Sequence, residues 1–160
     1  MSRLDSFIRR MTAQRTLLDA ACAEAASLDG PILEIGLGNG RTFDHLREHL
    51  PGRRIIAFDR VLAAHLSCVP AEDDLVLGEI RVTAPRFAGI GAALAHVDIG
   101  TGNDALDRQT LEWLPDLTAS LVQRGGIVVS GLPLDHPALA ALPLPDSVPA
   151  ERYYMYRRRS

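Results

Sequence analysis

Residues 32–42, ILEIGLGNGRT, constrain this chain more than any other stretch. Ile32 to Ile35 carry a single acid, Glu34, and run straight into the alternating glycines Gly36, Gly38 and Gly40, after which helix-forming residues resume. So short an apolar segment reads as a buried strand, and strand, tight loop and helix must therefore meet here. The glycines let the backbone turn where a side chain would clash, and the following helix aims its first amides at whatever lies over the loop. A helix start of this kind favours a carboxylate or phosphate, so a ligand is expected at this point.

The rest of the chain repeats the alternation. Strands are expected over 54–58, ending at Asp59, over 74–77, ending at Gly78 and Glu79, over 92–97, ending at Asp98, and over 127–129. A helix is expected over 41–50, stopped by Pro51-Gly52, with one or two helical turns over 61–67 and a partly helical 85–90. Over 104–124 the spacing of Leu106, Trp113, Leu117 and Leu121 is helical, and Pro115 makes it two helices or one kinked helix, closed by Gly125-Gly126. Upstream, Leu4, Phe7, Ile8, Met11, Leu18, Ala21 and Ala25 recur at helical steps. Residues 2–28 thus read as an amphipathic helix or a broken pair, capped by Ser2 and stopped by Gly30-Pro31. Downstream of Ser130, five of the ten prolines fall between Pro133 and Pro149. That leaves a loop with one helical turn over 138–142, followed by a last strand over 152–158.

Short strands without period-two alternation, interleaved with helices, specify an α/β, doubly wound, mostly parallel sheet with helices on both faces and right-handed crossovers. Ligands bind such sheets outside the carboxyl ends of the strands, beside the first one. Gly36, Asp59, Glu79 and Asp98 all stand at such ends.

At 160 residues and 47% hydrophobic, the chain reads as one domain. Within it, 1–30 is a helical segment, 31–130 the ligand-binding core, and 131–160 a proline-rich loop with a terminal strand. A formal charge of −3 gives no general electrostatic footprint for nucleic acid. All 17 cations are arginine, which excludes a phosphate-loop lysine and Schiff-base chemistry. Cys22 and Cys68 are isolated thiols without a CxxC pattern. With no signal-peptide pattern and no long apolar run, they point to a cytoplasmic chain outside the membrane.

Asp59 stands 19 residues after Gly40, at the end of the neighbouring strand, where a carboxylate can accept both hydroxyls of a ribose. Class I methyltransferases and dinucleotide enzymes both meet that description. A dinucleotide site is expected to show GxGxxG, whereas this loop is an acid followed by GxGxG. In that it resembles the first motif of the class I S-adenosylmethionine-dependent methyltransferase family. The resemblance extends from about Ile32 to Ser130. FDR, with Asp59 and Arg60, resembles the second motif, whose acid holds the cofactor ribose. LGEI, with Gly78, Glu79 and Ile80, resembles the third, which reads the adenine amino group, and VDIG, with Asp98, resembles the fourth, near the transferred methyl. LVQRGGIVVSG resembles the late GG turn and fifth strand of the family.

The resemblance implies a Rossmann-like sheet with an antiparallel late strand, S-adenosyl-L-methionine as cofactor, and methyl transfer by in-line displacement. It implies that Glu34 orients the loop, that Gly36, Leu37, Gly38, Asn39 and Gly40 cradle the cofactor, and that Arg41 and Thr42 are available to its carboxylate. Two other classes stay open: a nicotinamide-dependent oxidoreductase, which the glycine spacing opposes, and a non-catalytic cofactor-binding module.

The methyl acceptor is less defined. Neither NPPY nor DPPY follows the fourth strand and no Pro-Cys pair lies there, so the adenine aminomethyltransferase pattern and a covalent cytosine-type mechanism are unsupported; the acceptor is expected to be a small molecule, the net charge giving no support for nucleic acid. Candidates for catalysis are Asp98 and His136, the latter beside Asp135 in the loop after the fifth strand. His96, in an apolar strand, reads as a satisfied core histidine, and Arg9, Arg10 and Arg15 as helix-surface charges. Tyr153, Tyr154 and Tyr156 with the arginines after them read as an edge strand and solvated tail. His45 to His49 matches HxxEH. Phe43, Leu46 and Leu50 define the buried side of that helix, so its histidines are expected on a solvated face and no metal is expected. An amphipathic N-terminal helix leaves a homo-oligomer open.

Overall fold

Strand β1 (Ile32–Ile35) takes the centre of the sheet because all four of its residues, Glu34 included, are buried. In this computed structural model, which describes residues 2–160, it is flanked by β2 (Ile55–Asp59) and β4 (Ala92–Val97), both parallel to it. Beyond them lie β3 (Leu75–Leu77) on one side and β5 (Val122–Ser130) on the other, also parallel. β7 (Tyr154–Arg158) runs antiparallel to β5, and β6 (Leu139–Ala141) antiparallel to β7. The order is β3-β2-β1-β4-β5-β7-β6. The chain steps outward from β1 to β3 and then returns to β4 on the far side of β1. The switch point therefore opens at the carboxyl ends of β1 and β4.

Helices cover both faces. On one, α1 (Arg3–Ala25) and α2 (Arg41–His49) pack Leu17, Leu18, Ala21, Ala25, Phe43 and Leu46 against Ile32, Ala57, Leu94 and Ile127. On the other, α3 (Ile80–Thr83) and α5 (Leu114–Leu121) pack against Leu33, Ile35, Phe58, Ala95 and Val128, with α4 (Asp104–Leu111) lying outside them. Ser2 starts α1 with a capping box: its hydroxyl accepts from the Asp5 amide, and the Asp5 carboxylate accepts from the Ser2 amide. α1 is one unbroken helix. Only its later turns are sunk in the core, whereas Leu4, Phe7 and Ile8 are exposed. Burial pushes the Cys22 thiol up to about 11, which makes it an inert core residue. No described helix is long and apolar enough to cross a membrane.

Three local expectations are corrected. Residues 61–65 are not helical, and only a 3₁₀ turn at Leu66–Cys68 forms there. The 104–124 region is two helices, but the second ends at Leu121, because Val122 already pairs with Ala92 and the Gly125-Gly126 pair lies inside β5. Residues 139–141 are β6 rather than a helical turn. Their backbone is taken up by β7, with the Leu142 amide donating to Met155 and the Arg159 amide to Ala138 just outside the ladder. The hairpin buries Tyr153 and Tyr156, and Arg157 pairs with Glu24 of α1 at 2.9 Å, so this segment is core and brace rather than a solvated tail.

Candidate active site

A cleft of about 1010 Å³ opens at the carboxyl ends of β1, β2 and β4, as the sheet topology requires. It lies at the upper end of the ~300–1,000 Å³ common for small-molecule sites. Its floor is the loop Gly36, Leu37, Gly38 and Asn39, with Arg41 and Thr42 from the first turn of α2.

The loop is held by its own chain. The amides of Gly36 and Leu37 donate to the Phe58 carbonyl, and the Gly40 amide, at the N-cap of α2, donates to Leu37. Asn39 Oδ1 accepts from the Arg41 amide. The Gly38 amide donates to Asp59 Oδ2 at 2.8 Å. The amides of Gly36, Leu37, Gly38, Gly40 and Arg41 are thus all turned to the protein, and what the loop offers is shape. At Gly36, with φ +96°, a Cβ would sit 2.5 Å from the Asp98 carbonyl oxygen, so β1 and β4 can close here only on glycine. At Gly38, with φ +52°, a Cβ would meet nothing within 4 Å. The loop is open at this position, where Gly38 lines the cleft.

Asp59 ends β2 at the edge of the cradle, its Oδ1 accepting from the Arg60 amide at 2.7 Å. Each carboxylate oxygen has one amide and keeps lone-pair capacity towards the cleft, as a pair of ribose hydroxyls requires. Arg60 and Glu79 face one another across the mouth at 3.9 Å, both exposed, while Ile80 supplies a buried apolar wall beside them. Gly78 and Gly40 stand next to lining residues without lining the cleft themselves.

Beneath the loop lies a buried polar chain. Glu34 and His96 are direct register partners on β1 and β4, so their side chains leave the same face of the sheet. Both are fully buried, with His96 Nδ1 3.0 Å from Glu34 Oε2, and Thr42 Oγ1 donates to the other Glu34 oxygen. Glu34 thereby ties the end of β1 to the start of α2. The chain continues through Gln14 of α1, whose Nε2 donates to Asp98 Oδ2 at 3.0 Å and to the Tyr153 hydroxyl at 2.5 Å. Arg10 completes it, reaching both Asp98 oxygens at 3.2 Å. Among the described residues no buried side-chain polar atom lacks a partner. Burial and Asp98 both push the Tyr153 hydroxyl well above its ordinary range, which keeps it neutral.

Burial opposes a charge on His96, but the Glu34 carboxylate more than offsets it, and the imidazole pKa is raised. A raised folded-state pKa contributes stability in full below the unfolded value of ~6.5 and loses it as pH rises through the folded value. The unfolding free energy of the wild type, relative to His96→Gln, should therefore fall as pH is raised above ~6.5 in urea titrations. A difference that stays flat or rises would show that His96 holds no extra proton in the fold.

Of the two catalytic candidates, the fold brings only Asp98 to the cleft. His136 is held elsewhere: its Nδ1 accepts from the Ala138 amide, and its Nε2 lies 3.3 Å from Asp116 on α5. Sequence reading missed the contribution of α1, whose Phe7, Arg10, Met11 and Gln14 form a wall of the cleft. Gln14 did carry a signal, as a polar residue placed between Met11 and Leu17–Leu18 on the apolar stripe. A second wall comes from Leu106 and Gln109 of α4 with Trp113. The residues fit the cofactor implied by the resemblance: an open glycine cradle, a carboxylate for the ribose, an apolar wall at Ile80, and Asp98 for a cationic centre. Arg41 at the start of α2 is available for a carboxylate.

The comparisons agree with this geometry. The chain matches, over residues 1–158, the model of a family described as S-adenosyl-L-methionine methyltransferase. It is 42% identical to an S-adenosyl-L-methionine methyl transferase from Silicibacter pomeroyi DSS-3, covering 99% of both chains with a TM-score of 0.90. At fold level it also resembles cofactor-bound Rv0187 from MTB, at 17% identity over 98% of this chain and 89% of that one (TM-score 0.64). The putative methyltransferase yhhF from Escherichia coli is similar at 16% identity over 92% and 84% (TM-score 0.60). No curated protein is similar enough to count as a match. With its motifs assembled at one end of the sheet, this chain belongs to the family of S-adenosyl-L-methionine-dependent methyltransferases.

Proposed function

We propose that the chain transfers a methyl group to a small-molecule acceptor bound between α1 and α4. When bound, S-adenosyl-L-methionine supplies a methyl carbon open to in-line displacement, a reaction in which alignment does much of the catalysis. One observation carries the reading: the cleft extends past the glycine cradle to the walls formed by Phe7, Arg10 and Met11 on one side and Leu106, Gln109 and Trp113 on the other. Phe7, Met11, Leu106 and Trp113 give these two walls apolar surface within a cleft whose lining is otherwise about half polar, a mixture that supports a small organic acceptor. Asp98, steadied by Arg10 and Gln14, sets negative charge where the cationic end of the cofactor meets the acceptor. An amine or already ionised acceptor needs no further base there. The two unpaired cysteines accord with a reducing cytoplasm.

Cofactor binding is tested first. S-adenosyl-L-methionine or its demethylated product at a hundredfold its Kd is expected to add about 2.7 kcal/mol, or roughly 5–10 °C in Tm. Asp59→Ala should weaken that binding by about tenfold or more, since hydrogen bonds to a charged group contribute about 1.5–3 kcal/mol. Normal binding by Asp59→Ala would remove the ribose assignment. The acceptor is then tested by supplying methyl-labelled cofactor with a cell extract separated into low-mass, RNA and protein fractions. Label is expected in the low-mass fraction, and label confined to RNA or protein would overturn the acceptor class.

A further inference from the structure

α1 and α2 lie side by side on one face of the sheet, and their outer surfaces bring together three side chains that none of the chemistry above uses. His45 and His49 are four residues apart on α2, so both rings leave the helix on one side, with centroids 4.0 Å apart. Asp19 of α1 faces them, its Oδ1 2.7 Å from His45 Nε2 and 3.5 Å from His49 Nε2. One donor atom from each of the three lies within 4.8 Å of the other two. None of them lines the cleft.

The arrangement of His49 gives the cluster its character. Its Nδ1 lies 2.9 Å from the His45 carbonyl oxygen, and only a protonated Nδ1 can donate to a carbonyl. In the neutral ring this fixes the proton on Nδ1 and leaves the Nε2 lone pair directed at Asp19. Metal-binding histidines are commonly held in this way, the other ring N–H given to a carbonyl that sets tautomer and ring direction. A lone pair on His49 Nε2 beside a carboxylate oxygen places two acceptors face to face, and a cation between them resolves that opposition. We infer that Asp19, His45 and His49 form a binding site for a borderline divalent cation, best matched by zinc, that clamps α1 to α2. Two imidazole nitrogens and a carboxylate oxygen are a zinc donor set, and the half-exposed position leaves water free to complete four-coordination. With bonds of about 2.0–2.2 Å, neighbouring donors around a tetrahedral zinc stand roughly 3.3–3.5 Å apart. The 2.7 and 3.5 Å separations then need only small side-chain movements, with the ion replacing the proton that His45 shares with Asp19. The HxxEH pattern contains two of the donors, while the third comes from a helix 26 residues upstream.

The test uses the full chain without a histidine tag, stripped of metal by chelation and titrated with zinc in a calorimeter. One zinc per chain is expected to bind in the micromolar range and to raise Tm by about 5 °C or more at saturation. His45→Ala, His49→Ala and Asp19→Asn should each weaken binding by more than about tenfold, whereas His65→Asn, outside the cluster, should not. Cobalt is the second readout, since a four-coordinate site gives intense visible absorption whether or not any variant folds. Zinc binding that survives in the His45→Ala/His49→Ala double variant would overturn the assignment. So would the absence of saturable one-to-one binding, or a cobalt spectrum of the weak six-coordinate kind, either of which leaves an imidazolium–carboxylate pair only.

Discussion

Replacing Glu34 with alanine is expected to destabilise the fold by about 3–5 kcal/mol, the usual cost of removing one partner from a buried ion pair. The site leaves little room to compensate. Glu34 and His96 are both fully buried and directly opposite in the β1–β4 register, so the carboxylate is the charged partner that the buried imidazole has at this point of the sheet. The Glu34 carboxylate raises the His96 pKa against the cost of burial, so the charged form of the imidazole depends on that carboxylate. Without it, His96 and the Thr42 hydroxyl lose their partner together. A domain of this kind is stable by only about 5–15 kcal/mol, and a chain of this length loses about 2–4 °C of Tm per kcal/mol. Glu34→Ala should therefore melt roughly 6–20 °C below wild type. Glu34→Gln keeps the volume and one acceptor oxygen, and is expected to lose only about 1–3 kcal/mol. Urea unfolding followed by circular dichroism measures both. A Glu34→Ala chain within about 1 kcal/mol of wild type would mean that the buried pair contributes no net stability, as some such pairs do not.

This effect was only half visible in the sequence. The acid before the glycines marks Glu34, and the apolar run over 92–97 marks His96 as a core residue, but nothing local says that the two are register partners. The part of the cleft beside the glycine loop was legible because it is built from strand ends. β1 and β4 have the boundaries their apolar runs predict, and Gly36, Asp59, Glu79 and Asp98 come together because parallel strands place their carboxyl ends on one side. The part of the cleft beside α1 was not legible because it depends on contacts across the whole chain. Arg10 and Gln14 meet Asp98 more than eighty positions away, and Tyr153 meets Gln14 from the other end of the molecule. On α1 taken alone, Arg10 looks like any surface charge. The β6–β7 hairpin was hidden for a similar reason. Leu139 to Ala141 have helical propensity, and their extended form is imposed by the unpaired edge of β7. His136 shows the converse error, since its place after the fifth strand suggested the cleft, and the chain instead turns it towards α5.

The two glycines at the centre of the loop should separate folding from binding. Gly36→Ala is expected to cost about 2–5 kcal/mol of stability, the sum of a strained backbone at positive φ and the shift needed to relieve overlap in a packed interior. The added Cβ would meet the Asp98 carbonyl oxygen at 2.5 Å and Ile99 Cγ2 at 2.9 Å. The first of these is backbone at the end of a central strand, which cannot yield as a flexible side chain would. Relief must come by parting β1 from β4, and that also moves Asp98 away from Gln14 and Arg10. Gly38→Ala differs in kind. Its Cβ meets no atom within 4 Å, so the stability cost is the left-handed backbone alone, about 1–2 kcal/mol. The methyl group would instead occupy the open side of the cradle, and S-adenosyl-L-methionine affinity should fall by more than about tenfold, comparable with losing a charged hydrogen bond. Tm and cofactor Kd measured for the two variants together decide the matter. Gly36→Ala should fail mainly in stability, and Gly38→Ala mainly in binding. If Gly38→Ala bound the cofactor as wild type does, the cradle would not be where the cofactor backbone runs, and the ligand would have to lie nearer the Ile80 wall.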